Sequence, residues 1–558
     1  MRGIDRMQPL DPLNTVSDLM DVAAASAVCN GVELHCPAVR AGFPCQLPRL
    51  RSNWTASGQG RKGSPAGQIC APAWRRSHVL GKSMGEVRRG IEAATTKPST
   101  IGQTAVGDGR ERRPMTAGRA SPQARLGADV RADLRRAVLF EFFVAEAETY
   151  VFVARADWDS PRVVRVPLGR ARLREVVERH FPPGLSALDE EAVNEELRRL
   201  VVPFETFSEP GDLIWTVPHD VLHHVPFHAL RVNGGPLLAR NPVCSSPSAS
   251  VLRHCRARSH ADRSGAAVLV DSRNDLPLAH ADAQEFAVRD HIVSGSVTVL
   301  KQEQVTRQAV RRVLELPVDV VHIACHGVFS GHRGQDAGIL LAPDGSADGE
   351  RFTAADLLTV GIRARLVVLS ACDSGLSRRV AGDELLGLTR AVIHAGARSL
   401  LVTLWQVEAL PAGFLMRRFY HCFGSSSGPA DALREAALAT RDATVADVLE
   451  YCAEVHARVS PSRRPLLERD IADLRYLAGD HRAAADAYED LLRDHPDPGP
   501  DAAAGTPNPV SALRRDDLVA AASRSRRAAR VGVRPDYTLQ PFSSPFHWAA
   551  FTLVGDWT

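Results

Sequence analysis

The chain has 558 residues, of which 44% are hydrophobic and 24% charged, with a mean hydropathy of −0.14. These values are typical of globular proteins, and no run approaches the roughly 18 apolar residues of a membrane span, which excludes a helical membrane protein. Residues 1–126 hold 18 Lys/Arg and 9 Asp/Glu and residues 127–558 hold 50 and 56, so the net charge of +3 combines a segment at +9 with a body at −6. Such a body lacks the positive field that nucleic-acid binding requires, so only the arginine-rich N-terminal segment could contribute such binding. Solvated disorder is the favoured interpretation of that segment, and nucleic acid is not an expected partner.

The cysteines indicate a reducing compartment. Ten cysteines without a CxxC pair are too few and too irregular for a disulfide scaffold. The N-terminus shows no basic region followed by an apolar core, so no secretory signal is predicted. We therefore expect a cytoplasmic protein. The strong excess of arginine over lysine is typical of GC-rich codon usage and favours a bacterial source.

Residues 1–130 show no sustained period of 2 or 3.6 and are rich in Gly, Pro, Ser and Arg. This composition predicts a disordered leader, and a start codon assigned too far upstream would give the same pattern.

Ordered structure is expected from about residue 135. The runs Leu139–Val144 and Thr149–Val153 flank a three-residue polar turn and predict a β-hairpin. Further elements are predicted at strand Val163–Val166, helices 171–181 and 187–200, and strands Leu213–Pro218 and Ala266–Val270.

Residues 317–405 have the most regular pattern. Apolar strands are predicted at Val318–Ala324, Leu366–Leu369 and Ser399–Leu404. A helix opens at Thr353 between the first two, and a second helix runs from Asp383 to Ala395 and ends at Gly396. Nearly continuous apolar strands that alternate with helices predict a parallel sheet covered on both faces.

The C-terminal part is expected to be an insertion followed by a return to the sheet. Residues 445–500 are helical, and their small, aromatic and proline positions, with a turn at Gly479, have the spacing of one tetratricopeptide unit. Residues 501–540 are predicted to be a flexible linker. Residues 541–558 are predicted to contain a terminal strand over 546–554.

Two residues able to do covalent chemistry follow successive predicted strands. His326 and Cys372 lie 46 residues apart, and the carboxyl ends of parallel strands share one sheet edge, where ligands bind. Side by side, a thiol and an imidazole can act as nucleophile and base. Gly327 lacks a Cβ, so its N–H could approach a substrate oxyanion closely. Each residue alone is also compatible with an ordinary core position.

Two histidine-rich stretches allow a metal interpretation, which we consider the weaker one. His322, Cys325, His326 and His332 could suggest zinc, but side chains alternate along a strand, so Cys325 points away from His326. A second cluster contains His219, His223, His224 and His228, for which a structural or substrate-lining role is favoured. No metal site is predicted.

Several ordered motifs resemble the CHAT domain, a family of caspase-like cysteine peptidases often found with tetratricopeptide repeats. They are His322–Gly327, Leu369–Gly375, Gly382–Leu388, Ala395–Ala397, Leu404–Trp405, Val217–Leu230 and Trp548–Phe551. The resemblance covers about residues 135–558, interrupted by the helical insertion.

The resemblance implies an α/β, caspase-hemoglobinase-like fold, with a mostly parallel sheet flanked by helices. Residues 131–300 would form a pseudo-caspase half and 301–444 a catalytic half. It implies His326 as general base, Cys372 as nucleophile and the amides of Gly327 and Cys372 as oxyanion hole. The substrate pocket would involve Asp373, Ser374, Trp405 and Glu408.

The family resemblance also implies a protein substrate, is compatible with a protein activator or sensor, and requires no metal, nucleotide or other cofactor. One departure concerns specificity: the family usually has two acids after Trp405, whereas this chain has Glu408 followed by Ala409. The alternative function is a catalytically silent CHAT-like scaffold that binds partner proteins.

Overall fold

The computed structural model describes residues 136–557, except for 182–189, 250, 252–254, 256–263, 274–277, 293–294, 329–336, 344–349, 371–381, 426–427 and 495–514. The chain divides into two compact units. One comprises Met1–Leu134 and Ala156–Pro161, of which only the loop Ala156–Pro161 is described. The other comprises Arg135–Arg155 and Arg162–Thr558 and contains every helix and strand given below. The leader expected at 1–130 lies outside the described residues.

The described strands in chain order are β1 (Ala137–Val144), β2 (Thr149–Arg155), β3 (Arg162–Val166), β4 (Leu213–Val217), β5 (Arg231–Val232), β6 (Gly235–Pro236), β7 (Val243–Ser245), β8 (Ala266–Val270), β9 (Val297–Lys301), β10 (Val320–Ala324), β11 (Gly327–Val328), β12 (Gly338–Leu340), β13 (Arg351–Thr353), β14 (Leu366–Leu369), β15 (Ser399–Thr403) and β16 (Phe551–Gly555). The hairpin predicted near residue 145 is confirmed, because β1 and β2 pair antiparallel from Val144↔Thr149 outward.

The described α-helices are α1 (Arg170–His180), α2 (Glu190–Phe207), α3 (Leu237–Arg240), α4 (Leu278–His291), α5 (Arg307–Leu314), α6 (Ala354–Leu357), α7 (Gly382–Ala395), α8 (Ala409–Gly424), α9 (Pro429–Asp442), α10 (Val445–Arg458), α11 (Pro465–Leu477), α12 (His481–Asp494), α13 (Arg515–Ala529) and α14 (Pro545–Trp548). Short 3₁₀ turns occupy Asp220–His224, Phe227–Ala229, Gln302–Gln304 and Pro461–Arg463.

Eleven described strands form one sheet in the order β3-β2-β1-β4-β7-β16-β15-β14-β10-β8-β9. Pairing is antiparallel between β3, β2 and β1 and between β15 and β16, and it is parallel at every other junction. The strands β8, β10, β14 and β15 are buried at every position. This confirms the predicted α/β fold class, a mostly parallel sheet covered by helices on both faces.

Residue 300, the expected boundary between the two halves, lies within β9. The strand β9 pairs with β8 and β8 pairs with β10, so strands from both sides of residue 300 are neighbours in one continuous sheet. A sequence shows where strands lie but not which neighbours they pair with.

The terminal strand is shorter than predicted. Residues 546–548 are helical in α14, and β16 begins at Phe551. Pro545 occupies the first helical turn and the Ser544 hydroxyl accepts a hydrogen bond from the Phe546 amide, two features that start a helix. The strand β16 lies at the centre of the sheet, between β7 and β15.

Residues expected to be a flexible linker contain the helix α13. Leu518, Ala521 and Ala522 recur at helical spacing and pack against Tyr488 and Leu491 of α12. The following segment is also ordered, since the Asp536 amide donates to the Ala478 carbonyl and the Tyr537 hydroxyl donates to Asp480. The linker prediction is wrong for residues 515–540, because frequent Ala and Arg concealed a short apolar stripe.

Predicted helix boundaries are confirmed where a specific residue supports them. The Thr353 hydroxyl accepts from the Asp356 amide and opens α6. Gly396 and Gly479 have positive φ values of 134° and 82° and follow α7 and α11. A Cβ on Gly396 would lie 2.2 Å from the Ile362 carbonyl oxygen, so glycine is required there.

In the described part of the chain, no helix combines the length and apolarity that crossing a membrane demands.

Candidate active site

The candidate site lies at the carboxyl edge of four neighbouring parallel strands. In register, Leu269 of β8, Ile323 of β10, Leu369 of β14 and Val402 of β15 form one row across the sheet. Three residues beyond this row the sequence has Ser272, His326, Cys372 and Trp405. The Ser370 amide donates to the Ile323 carbonyl over 3.0 Å, so the β10–β14 pairing continues beyond the end of β14.

His326 is 7% exposed and lies two residues after Ala324, the buried end of β10. Its carbonyl oxygen accepts from the Leu340 amide at 2.8 Å, and the adjacent Gly327 pairs with Ile339. The Ser272 hydroxyl donates to the Leu340 carbonyl at 2.6 Å. The β12 strand is therefore fixed on both sides, and it holds the backbone of His326 and Gly327 at the edge.

Ser272 and its neighbour Asp271 were not identified from the sequence. Asp271 is 1% exposed and has φ of 51°, a left-handed conformation that costs free energy for a non-glycine residue and occurs often at functional sites. Its amide donates to the Ala324 carbonyl. The end of the apolar run Ala266–Val270 was the one available signal, because polar residues after a buried parallel strand lie at the ligand edge.

Three of the predicted site residues, Cys372, Asp373 and Ser374, lie outside the described residues. Ser370, which ends the described part of this segment, is 8% exposed.

Trp405 is a structural anchor for the loop after β15. It is 6% exposed, and its indole Nε1 donates to the Phe546 carbonyl at 3.0 Å. Because the indole N–H is hydrogen-bonded inside the fold and the side chain is buried, Trp405 supports the loop from its inner side and is largely hidden from solvent.

Glu408 is more accessible than Trp405. Its side chain is 52% exposed and precedes the first turn of α8, with one carboxylate oxygen 3.6 Å from Nδ1 of His547. Partial burial raises the pKa of Glu408, and the nearby Asp470 carboxylate raises it further. Trp405 and Glu408 therefore lie in the loop between β15 and α8, where Trp405 is buried and Glu408 is half-exposed.

The strand that carries His326 is clamped by a buried polar network. His322 is fully buried, with Nε2 2.9 Å from the Gln284 side-chain oxygen and Nδ1 2.8 Å from the Tyr420 hydroxyl. Since Gln284 Oε1 can only accept, Nε2–H donates to it and Nδ1 accepts from Tyr420. Burial lowers the pKa of His322 to about 3, so the ring is neutral. This histidine joins β10 to α4 and α8 and is not a zinc ligand.

Stability should decrease in acid because of this buried neutral ring. The unfolded chain binds a proton on His322 near pH 6.5 and the folded chain only near pH 3, so its contribution is complete above pH 6.5 and falls between pH 6.5 and 3. We expect His322→Gln to reduce the pH slope of the unfolding free energy in this range by about 1.4 kcal/mol per pH unit. Urea unfolding at several pH values measures it, and an unchanged slope would contradict the assignment.

Three further candidates for metal ligands, Cys325, His219 and His228, have structural surroundings, and His332 lies outside the described residues. Burial raises the pKa of Cys325 to about 11, and the thiol lies beside Ser272. His219 accepts from the Val144 amide at 3.1 Å and stacks on Phe143, while His228 Nε2 donates to the Ala549 carbonyl at 2.9 Å. Burial lowers the pKa of both histidines to about 4. No group of three or more potential metal ligands occurs among the residues that the structure covers.

Comparisons with known proteins support one family. The family model described as the CHAT domain matches residues 185–556. A segment of 69 residues is 42% identical to tetratricopeptide repeat protein 28 of Mus musculus, covering 12% of this chain and 3% of that protein. A segment of 108 residues is 32% identical to the Homo sapiens protein of the same name, covering 17% of this chain and 4% of that protein.

Two solved structures show limited similarity. The Arg-specific cysteine proteinase gingipain R has 8% identity and a TM-score of 0.31, covering 44% of this chain and 62% of the proteinase. The Saccharomyces cerevisiae separase–securin complex has 9% identity and a TM-score of 0.38, covering 56% of this chain and 30% of that chain.

Proposed function

Because the chain belongs to the CHAT domain family, we propose that it is a cysteine endopeptidase that cleaves a protein substrate with Cys372 and His326. The observation that carries this proposal is the strand register. His326 and Cys372 each come three residues after the paired residues Ile323 and Leu369 of adjacent parallel strands. We therefore expect the two side chains to meet at the carboxyl edge of the sheet.

The proposed reaction has two steps. The Cys372 sulfur attacks the carbonyl carbon of the scissile peptide bond, and the amides of Gly327 and Cys372 stabilise the resulting oxyanion. Collapse of this intermediate breaks the C–N bond, and His326 passes the thiol proton to the leaving amine. Water then attacks the thioester, with His326 accepting its proton, and releases the acid product and the free thiol.

The fixed backbone around His326 supports this mechanism. General-base catalysis needs an imidazole held at a defined position. The Leu340 amide donates to the backbone carbonyl of His326, and the Ser272 hydroxyl donates to the Leu340 carbonyl and so holds Leu340 in place. The number and spacing of the cysteines support a cytoplasmic location for this reaction.

An irreversible peptide probe tests the proposal. We expect a panel of peptidyl acyloxymethyl ketones to label the wild-type protein on Cys372, and Cys372→Ala to abolish labelling, as measured by intact and peptide mass spectrometry. Cys422→Ala is the matched control, because that thiol is partly exposed and burial raises its pKa. We expect it to label normally. If Cys372 stays unlabelled with every probe, also in the presence of binding partners, the scaffold alternative replaces the peptidase.

A further inference from the structure

The helical insertion makes a close contact with the helix that follows the candidate site. At Gly413, in the second turn of α8, an added Cβ would lie 2.5 Å from the hydroxyl oxygen of Tyr451 on α10 and 3.7 Å from its Cζ. Tyr451 is 2% exposed, and its ring meets Phe414 edge-on at 5.4 Å. Only a glycine lets the tyrosine hydroxyl approach the α8 backbone so closely.

The same contact region extends to the first turn of α8. Leu410 packs in one apolar cluster with Leu467 and Ile471 of α11 and with Phe542. Asp470 of α11 also accepts a hydrogen bond from Nε2 of His280 at 2.7 Å, which joins the insertion to the neighbouring helix α4. The contacts of Leu410 and Gly413 therefore pack the insertion against the first two turns of α8.

That end of α8 is continuous with the candidate site. Glu408 is the N-cap residue of the helix, and Trp405 stands two residues after β15. Gly413 lies only about one helical turn from the loop 404–408, so a displacement there would be carried to the loop. At the other end of α8, several turns away, Gly424 approaches the carbonyl oxygen of His291 on α4.

We propose that Tyr451 is a positioning residue, through which the helical insertion holds the N-terminal end of α8 and so sets the loop 404–408 beside the active site. The inference rests on the proposed peptidase function and assigns the control of its site to the insertion. An insertion that only covered the core would affect stability, whereas a positioning insertion also affects how the site binds a peptide.

Gly413→Ala tests this contact directly. The added methyl group must displace either α8 or Tyr451, and we expect the inactivation constant KI of the peptide probe to rise at least about tenfold, with a smaller change in the maximal rate. We also expect amide hydrogen exchange of residues 404–412 to accelerate by a similar factor. The exchange measurement does not depend on catalysis.

The rescue variant is Gly413→Ala combined with Tyr451→Phe. Removing the hydroxyl leaves Cζ, at 3.7 Å, as the nearest atom, which is ordinary contact. The hydroxyl oxygen has no hydrogen-bond partner among the residues that the structure describes, so its removal breaks no such bond there. We expect the double variant to return both measurements toward the wild-type values, because phenylalanine keeps the ring that packs on Phe414.

Gly424→Ala is the matched control, because it adds the same atom at the other end of α8, where a Cβ would lie 2.4 Å from the His291 carbonyl oxygen. We expect it to lower the melting temperature without changing KI or the exchange of residues 404–412. The positioning role is rejected if Gly413→Ala behaves like Gly424→Ala, or if the double variant is not rescued. If the wild type reacts with no probe, the peptidase proposal fails, and the exchange data still decide whether the insertion sets the loop.

Discussion

Replacing His326 with alanine is expected to lower the rate at which the peptide probe alkylates Cys372 about 10²- to 10⁴-fold, the range that general acid–base catalysis contributes. The fold should survive, because the hydrogen bond to Leu340 uses the backbone carbonyl of residue 326 and every residue has that group. The rate is measured with the peptide probe, and the unfolding midpoint is compared in parallel.

Chemical rescue strengthens this experiment. Free imidazole added to His326→Ala should restore part of the rate, since the vacated space lies at the strand end beside the expected thiol position. Imidazole should have no effect on Cys372→Ala. A His326→Ala protein that is fully folded and still reacts at the wild-type rate would contradict the role of His326 as the base.

The largest expected effect on stability comes from Asp556→Ala. Asp556 is fully buried directly after β16 and forms an ion pair with Arg398, which is 7% exposed in side-chain terms and precedes β15. Removal of one partner of a buried ion pair leaves the other charge uncompensated and costs about 3–5 kcal/mol. The Ser399 hydroxyl also donates to the Asp556 carbonyl, so these residues join β15 to β16 at the centre of the sheet.

Urea unfolding of Asp556→Ala measures this cost. Asp290→Ala is the matched control, because Asp290 pairs with Arg458 while their side chains are 45% and 42% exposed. We expect that control to lose less than about 1 kcal/mol. Equal losses in the two variants would show that the Arg398–Asp556 pair does not hold the terminal strand in the sheet.

The strands that end at the candidate site were predictable because their patterns are local. Leu366–Leu369 and Ala266–Val270 were predicted with the bounds observed, and each is a short apolar run closed by polar residues. Caps were predictable for the same reason: a threonine or glycine acts on backbone groups within four residues of itself. Errors arose where a local pattern was weak or was outweighed by a neighbouring one. The apolar stripe of α13 is short and lies among alanines and arginines, and Pro545 begins a helix directly before the apolar run of the terminal strand.

Partners across the fold could not be predicted in this way. His322 could be placed on a buried strand, but Gln284 and Tyr420, at sequence separations of 38 and 98, were found only when helices α4 and α8 packed on that strand. The same holds for Asp470, which reaches His280 across 190 residues. Nothing near Gly413 in the sequence indicates that the insertion returns to it.

The sequence alone shows which residue types are available for chemistry, His326, Gly327 and Cys372, and that they follow two apolar strands. Strand order, which brings the ends of β8, β10, β14 and β15 to one edge, is visible only in the folded chain. The same holds for the packing of α10 and α11 against α8. Local patterns control backbone conformation within a few residues, whereas strand order and helix docking depend on burying apolar surface contributed by distant segments.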